Sequence, residues 1–277
     1  MHENEYELTP AQEKKRVLVI GAGPGGMKAA ISAAQRGFEV TLWEKNQRMG
    51  GIMAAAGAPR FKADVKDQVE YLIRQVKKNA IDLQLGKEAT LESVQAFDPD
   101  FVVVASGADP VMIPIPGADK PNVSTAVPVL LKEKEVGQRI VVVGGGEVGC
   151  ELSSELRLQG KDVTMVELLD DILRTADHFV ANDQNIRYLV EHSGTAILCS
   201  TKLTEILDDG VIVERDGAKE KIACDSVVFA AGFRADHSLY QAIKSAGIEC
   251  VQVGDNVKPG KVIDAIHQAY HYIRVLE

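Results

Sequence analysis

The sequence predicts an α/β protein of two doubly wound, three-layer domains, the second inserted into the first. Three observations carry this reading. A β-branched apolar run, Arg16 to Ile20, passes directly into Gly21-Ala22-Gly23-Pro24-Gly25-Gly26, then a breaker-free, alanine-rich stretch, then a second strand ending in Glu44. The same order recurs with Arg139 to Val143, Gly144-Gly145-Gly146-Glu147-Val148-Gly149, a helical stretch from Cys150, and a strand ending in Glu167. The two acids stand at the same offset from the first glycine of their repeats. Strand, Gly-x-Gly-x-x-Gly, helix, strand and acid form the dinucleotide-binding fingerprint in the context it requires.

Each part of the first fingerprint has a physical reason. Gly21 lets the chain turn out of the strand, Gly23 leaves room for a pyrophosphate against the backbone, and Gly26 lets the helix pack on the strand. Phosphates then meet the free N–H groups and positive end of the helix, and Glu44 is placed to accept hydrogen bonds from a ribose. Beyond it, the Gly50-Gly51 pair and Ile52 suit a backbone passing close to a ligand. Ala63 to Lys78 predicts an amphipathic helix with Val65, Val69, Leu72, Ile73 and Val76 on one face. Strands are predicted at Ile81 to Leu85 and Phe101 to Ala105, the latter running into Ser106-Gly107. A proline-rich passage through Pro110, Pro114, Pro116 and Pro121 reads as an interdomain connection.

After the second fingerprint a helix is predicted over Asn182 to His192, and strands at Thr195 to Cys199, Lys202 to Asp208 and Val211 to Arg215, the last two as an antiparallel ribbon. Ser226 to Gly232 echoes the Val103 to Gly107 strand end, so Ala105, Gly107 and Gly232 are all candidates for close approach to a ligand. A strand ending in Gly254-Asp255 precedes a helix from Val262 to Arg274. The expected domains are a tail at 1–11, a discontinuous first domain at 12–109 and 225–277, and a second at 110–224, with Ala223 to Asp225 as one hinge.

A length of 277 residues suits about two domains of ~150. The net charge of −9 argues against nucleic acid and anionic membranes as partners, and no run is long enough to span a bilayer. Four scattered cysteines with no Cys-x-x-Cys exclude a local redox disulfide, iron–sulfur or zinc spacing and suit a reduced, cytoplasmic setting. His267 and His271 lie one helical turn apart, but no third ligand accompanies them, so no metal site is expected.

On the two fingerprints, on Val40-Thr41-Leu42-Trp43-Glu44-Lys45, on Met49-Gly50-Gly51 and on Val148-Gly149-Cys150-Glu151, the chain resembles the C-terminal FAD/NAD(P)H-binding module of the 2,4-dienoyl-CoA reductase, enoate reductase and trimethylamine dehydrogenase family. The resemblance implies FAD on the first fingerprint (Gly21, Gly23, Pro24, Gly25, Gly26) and NAD(P)H on the second (Gly144, Gly146, Glu147, Val148, Gly149, Glu167). It implies Glu44 on the adenosine ribose, Lys45 and Arg48 beside the adenosine, and the Ala89 backbone at the adenine. Gly50, Gly51 and Ile52 would line the way to the flavin, Asp255 the ribityl–phosphate region, and Val262 would present a helix N-terminus to the ring. Ile52 stands where the family often has glutamine. A flavin-barrel domain with FMN and a [4Fe–4S] cluster is the implied electron partner, and no general acid or base is expected, because hydride transfer to flavin needs none. The alternatives are a structural ADP- or NAD-holding module, which the resemblance to trimethylamine dehydrogenase permits, and a free-standing reductase of a soluble acceptor.

Overall fold

A computed structural model describes residues 6–174 and 179–277; the first five residues of the expected tail lie outside the described residues. In chain order the elements are β1 (Arg16–Ile20), α1 (Pro24–Arg36), β2 (Glu39–Glu44), α2 (Gly51–Ala56), α3 (Ala63–Lys78), β3 (Ile81–Leu85), α4 (Leu91–Phe97), β4 (Phe101–Val104) and β5 (Ala108–Pro110). There follow β6 (Val123–Thr125), α5 (Ala126–Leu130), β7 (Arg139–Val143), α6 (Glu147–Leu158), β8 (Asp162–Val166), α7 (Val180–His192), β9 (Ala196–Leu198), β10 (Thr201–Ile206), β11 (Gly210–Arg215) and β12 (Ala218–Ala223). The chain closes with β13 (Ser226–Phe229), β14 (Phe233–Ala235), α8 (Ser238–Ser245), β15 (Cys250–Gln252), a 3₁₀ turn at Gly254–Asn256 and α9 (Val262–Arg274).

Two compact units result. The first comprises residues up to Gly57, Ala63–Asp109 and Arg234–Glu277. Its parallel sheet has the order β15-β4-β1-β2-β3. The central strands β1 and β4 are buried on both faces because both are covered. Val17, Val19, Val40, Leu42 and Val103 face one core with Met27, Leu72, Ala269 and Ile273 from α1, α3 and α9. Their neighbours Leu18, Ile20, Trp43, Val102 and Val104 face the other, with Val94 of α4 and Ile243 of α8. This side-chain alternation makes the three layers.

The second unit comprises Ala58–Lys62 and Pro110–Phe233. Its parallel sheet has the order β6-β13-β7-β8-β9. On one face Ile140, Val142 and Val228 pack with Ala126, Val129, Leu152 and Leu156 from α5 and α6. On the other, Val141, Val143 and Phe229 pack with Leu203, Ile206, Val211 and Val213 of an antiparallel sheet, β10-β11-β12. The third layer is therefore sheet rather than helix.

Two boundaries differ from the expected ones. The sequence pattern puts residues 225–233 in the first domain, yet Ser226–Phe229 pairs on both sides within the second sheet. Asp225 is no hinge: its carboxylate accepts from the Arg139 N–H at 2.8 Å and from the Arg139 guanidinium at 2.6 Å. Ala58–Lys62, read as part of the first domain, groups with the second unit, where Lys62 pairs with Glu151 and Arg60 Nε lies 3.3 Å from Glu155. Among the described residues, no helix is long and apolar enough to cross a membrane.

Candidate functional site

Each unit carries a glycine loop between its first parallel strand and the helix behind it. In the first, Gly21 has φ +97°, and a Cβ there would lie 2.4 Å from the Ala105 carbonyl oxygen. A Cβ on Gly26 would lie 1.8 Å from the Gly21 carbonyl oxygen. Both glycines are required by the protein's packing on itself. Gly25 serves a third approach, its Cβ position being 3.4 Å from Val253 and 3.5 Å from Ala265 of α9.

Gly23 is different. Its φ of −73° and ψ of −178° suit any residue, and a Cβ there would meet nothing within 4 Å. It caps α1 with no side chain, leaving the first-turn amides without a side-chain partner. The second unit repeats this. Gly144 has φ +110° and is pressed against the Ala230 carbonyl, and a Gly149 Cβ would lie 1.9 Å from the Gly144 oxygen. Gly146, with φ −74° and ψ −177°, faces open space at the start of α6. The strand ends correspond as well: Ala105 N–H donates to Ile20 O, Ala230 N–H donates to Val143 O, both at 2.8 Å, and Gly107 and Gly232 follow with φ +79° and +91°.

The acids also correspond. Glu44 is buried, accepts from the Ala22 N–H at 2.8 Å, and is held from behind by the Asn46 N–H and side-chain amide at 2.8 and 2.7 Å. Glu167 accepts from the Gly145 N–H and, at 2.7 Å, from the Leu169 N–H. Each carboxylate is fixed beside its glycine loop by backbone donors, where it can also accept from a hydroxyl.

Around the first loop, Gly50 N–H donates to Ala22 O at 2.8 Å, and a Gly51 Cβ would lie 3.0 Å from Gly23 Cα. The Gly-Gly pair thus packs on the fingerprint itself and starts α2, with Ile52 half-buried on that helix. Val253 leads to the 3₁₀ turn, where Gly254 N–H donates to the Gln268 side chain at 2.8 Å. Asp255 is half-buried, its carboxyl pushed up by burial and held down in part by the Gly260 N–H at 3.1 Å. Val262 opens α9, but Asp264 accepts from the Lys261 N–H at 3.1 Å, so an acid already complements that helix end. Lys45 is exposed, Arg48 half-buried, and Ala89 packs on the cluster that holds Ile20 and Trp43. In the second unit Glu147 turns aside to accept from Asn182 at 3.0 Å, and Val148 packs into the core.

Sequence reasoning missed Asn256. It is fully buried, donates to Ser106 Oγ at 2.9 Å and Asp236 O at 2.7 Å, and leaves its Oδ1 without a partner among the described residues. Its position directly after Gly254-Asp255 was the available signal. His267 and His271 are packed edge to face, and His271 also meets Tyr6 and Tyr270. Among the described residues no three candidate ligands cluster as a metal site would require.

Residues 15–258 match the family described as pyridine nucleotide-disulphide oxidoreductase. The chain belongs to that family. Cinnamate reductase of Clostridium sporogenes is 35% identical over 269 residues, covering 97% of this chain and 40% of that protein. NADH oxidase of Thermoanaerobacter brockii is 35% identical over 270 residues, covering 95% and 41%. A structure of 2-naphthoyl-CoA reductase with 2-naphthoyl-CoA superposes with a TM-score of 0.91 at 32% identity, covering 99% of this chain and 42% of that one. The chain thus spans about two fifths of the length of these relatives and corresponds to the FAD- and NAD(P)H-binding module of enoate reductase-like enzymes. It is an FAD-dependent pyridine nucleotide oxidoreductase module, with FAD and NAD(P)H as its cofactors. The open backbone at Gly23 and Gly146, each at an uncapped helix start beside a fixed carboxylate, fits two such dinucleotides. All four cysteines are free, and burial pushes the thiols of Cys150 and Cys224 up to about 12 and about 11, which suppresses their thiolate chemistry.

Proposed function

We propose that this chain is an NADH-specific flavin-reducing module, with FAD on the first fingerprint and NADH on the second, and that its electrons are destined for a partner carrying FMN in a flavin barrel and a [4Fe–4S] cluster. The observation that carries this is the pair Gly23 and Gly146, glycines for which internal packing supplies no reason and a pyrophosphate does. Bound FAD supplies hydride acceptance from reduced nicotinamide and onward release of electrons.

The residues do the holding. In this reading Gly21, Gly23, Gly25 and Gly26 form the first pyrophosphate cradle, Glu44 takes the ribose hydroxyls, and Asp255 borders the ribityl chain. Gly144, Gly146 and Gly149 form the second cradle, with Glu167 on the NADH ribose. A carboxylate opposite a 2′-phosphate at about 4 Å costs about 1–4 kcal/mol per charge pair at effective dielectrics of roughly 80 to 20, which favours NADH over NADPH. No residue moves a proton, because hydride transfer to flavin requires none. Reduction of an enoate or enoyl thioester also needs a proton donor and substrate pocket, which this reading assigns to the partner, in a reducing cytoplasm.

The test is to load the purified chain with FAD and add NADH without oxygen. The visible flavin band should bleach, and the protein should then reduce small dyes or quinones but no enoate or dienoyl thioester. A bound flavin that NADH does not bleach, or a colourless protein retaining only ADP, overturns the reading in favour of a structural nucleotide-binding module.

A further inference from the structure

The loop after Glu167 carries Leu168-Leu169-Asp170-Asp171, in which no arginine stands ready for a 2′-phosphate. The fold nevertheless brings two arginines to this loop, and both are occupied. Arg174 Nε and Nη2 donate to the two oxygens of Asp170 at 3.0 and 2.8 Å. Arg187, reaching from α7, donates through Nη1 and Nη2 to the two oxygens of Asp171 at 3.0 and 2.9 Å, and through Nη2 to Ile172 O at 3.2 Å. Its Nη1 also lies 3.5 Å from Glu191.

This loop is tied to the fingerprint. Leu173 N–H donates to Gly145 O at 2.7 Å, a Gly145 Cβ would lie 2.9 Å from Ile172, and Gly145 N–H donates to Glu167. The two forks therefore border the carboxylate that distinguishes a ribose hydroxyl from a phosphate. A guanidinium fork binds carboxylate or phosphate with the same two-point geometry, so a fork closed on aspartate is withheld from a phosphate.

We propose that Asp170 and Asp171 are specificity-determining residues: by closing Arg174 and Arg187 into bidentate pairs they leave a 2′-phosphate to meet three carboxylates and no open guanidinium on this loop. The second unit carries a latent 2′-phosphate site that its own aspartates occupy. The guanidinium hydrogen bonds hold both carboxyls below the usual range. The inference rests on the second fingerprint being the pyridine nucleotide site.

The experiment is calorimetric titration of the FAD-loaded chain with NAD⁺ and NADP⁺, which bind without turnover. The unaltered chain should bind NAD⁺ at least about tenfold more tightly. Asp170→Asn together with Asp171→Asn should tighten NADP⁺ about tenfold or more, leave NAD⁺ within about threefold, and make NADP⁺ binding weaken with salt. Adding Arg174→Gln and Arg187→Gln should erase the gain. The Asp170–Arg174 pair is exposed on both sides, so Asp170→Asn alone should fold normally and still tighten NADP⁺ by about threefold. Unchanged NADP⁺ affinity in folded variants that keep NAD⁺ binding overturns this inference alone. A gain that survives loss of both arginines overturns it too, since repulsion would then suffice. Failure of the unaltered chain to bind NAD⁺ overturns the functional reading and this inference with it.

Discussion

The two fingerprints are a controlled comparison inside one chain. Where the loops agree, the cause is packing: the first and last glycines of each are pressed onto a carbonyl of their own unit, and Ala105 and Ala230 close the same gap. Gly23 and Gly146 agree for another reason, since a Cβ on either would meet nothing within 4 Å. Where the units differ, the neighbourhood differs. Gly50 and Leu173 stand at the same offset from the first glycine of their repeats, and each donates its N–H to the second residue of its loop. Gly50 does so with φ +115°, while Leu173 does so with φ +62°, a left-handed conformation uncommon for leucine. The acid is followed by Lys45 and Arg48 in the first unit and by Asp170 and Asp171 in the second. The comparison thus sorts residues demanded by the fold from those left to the ligand.

The largest effect that can break this sorting concerns the packing glycines. Gly26→Ala and Gly149→Ala place a methyl 1.8 and 1.9 Å from a carbonyl oxygen, and each should cost at least about 3 kcal/mol in denaturant unfolding, the upper end of ordinary overpacking. Unfolding midpoints close to the parent's would show that the loops relax freely. Next come the open glycines. Gly23→Ala and Gly146→Ala should leave unfolding of the cofactor-free protein within about 1 kcal/mol, while Gly23→Ala weakens FAD about tenfold or more and Gly146→Ala does the same to NADH only. Loss of both cofactors in either variant would dissolve the assignment of one dinucleotide per loop.

The smallest effect tests a buried difference. Met27 and Cys150 hold equivalent, fully buried positions on α1 and α6. The Cys150 thiol is raised by burial from 9.0 to about 12. The unfolded chain therefore releases this proton first, and the associated stability is complete below pH 9 and is lost as pH climbs toward about 12. Near pH 10 that loss is about 1.4 kcal/mol. Melting temperature should fall more steeply above pH 9 in the parent than in Cys150→Ala; parallel curves would place the alkaline sensitivity elsewhere.

Most of the frame was legible because its signals are local. Strand runs such as Phe101–Val104 and the capless glycine turns announce themselves, and the last helix falls at Val262–Arg274 as its pattern predicts. What stayed hidden depends on distant partners. Ser226–Phe229 reads as a buried strand anywhere, and only its pairing with Arg139–Val143 and Val123–Thr125 places it in the second sheet. Asn256 and Arg187 acquire meaning from Ser106, Asp236 and Asp171, all remote in sequence or on another element. Ala218–Ala223 does not read as a strand in the sequence because Lys219, Glu220 and Lys221 give it no apolar alternation.

That charged strand has a consequence for the molecule's solution behaviour. It forms one edge of the antiparallel sheet and presents a row of backbone groups that another copy could extend. Antiparallel self-pairing centred on Glu220 would set glutamate against glutamate and each Lys219 against a Lys221, like charges directly opposite on both faces. The same residues that concealed the strand in the sequence guard its edge against self-association.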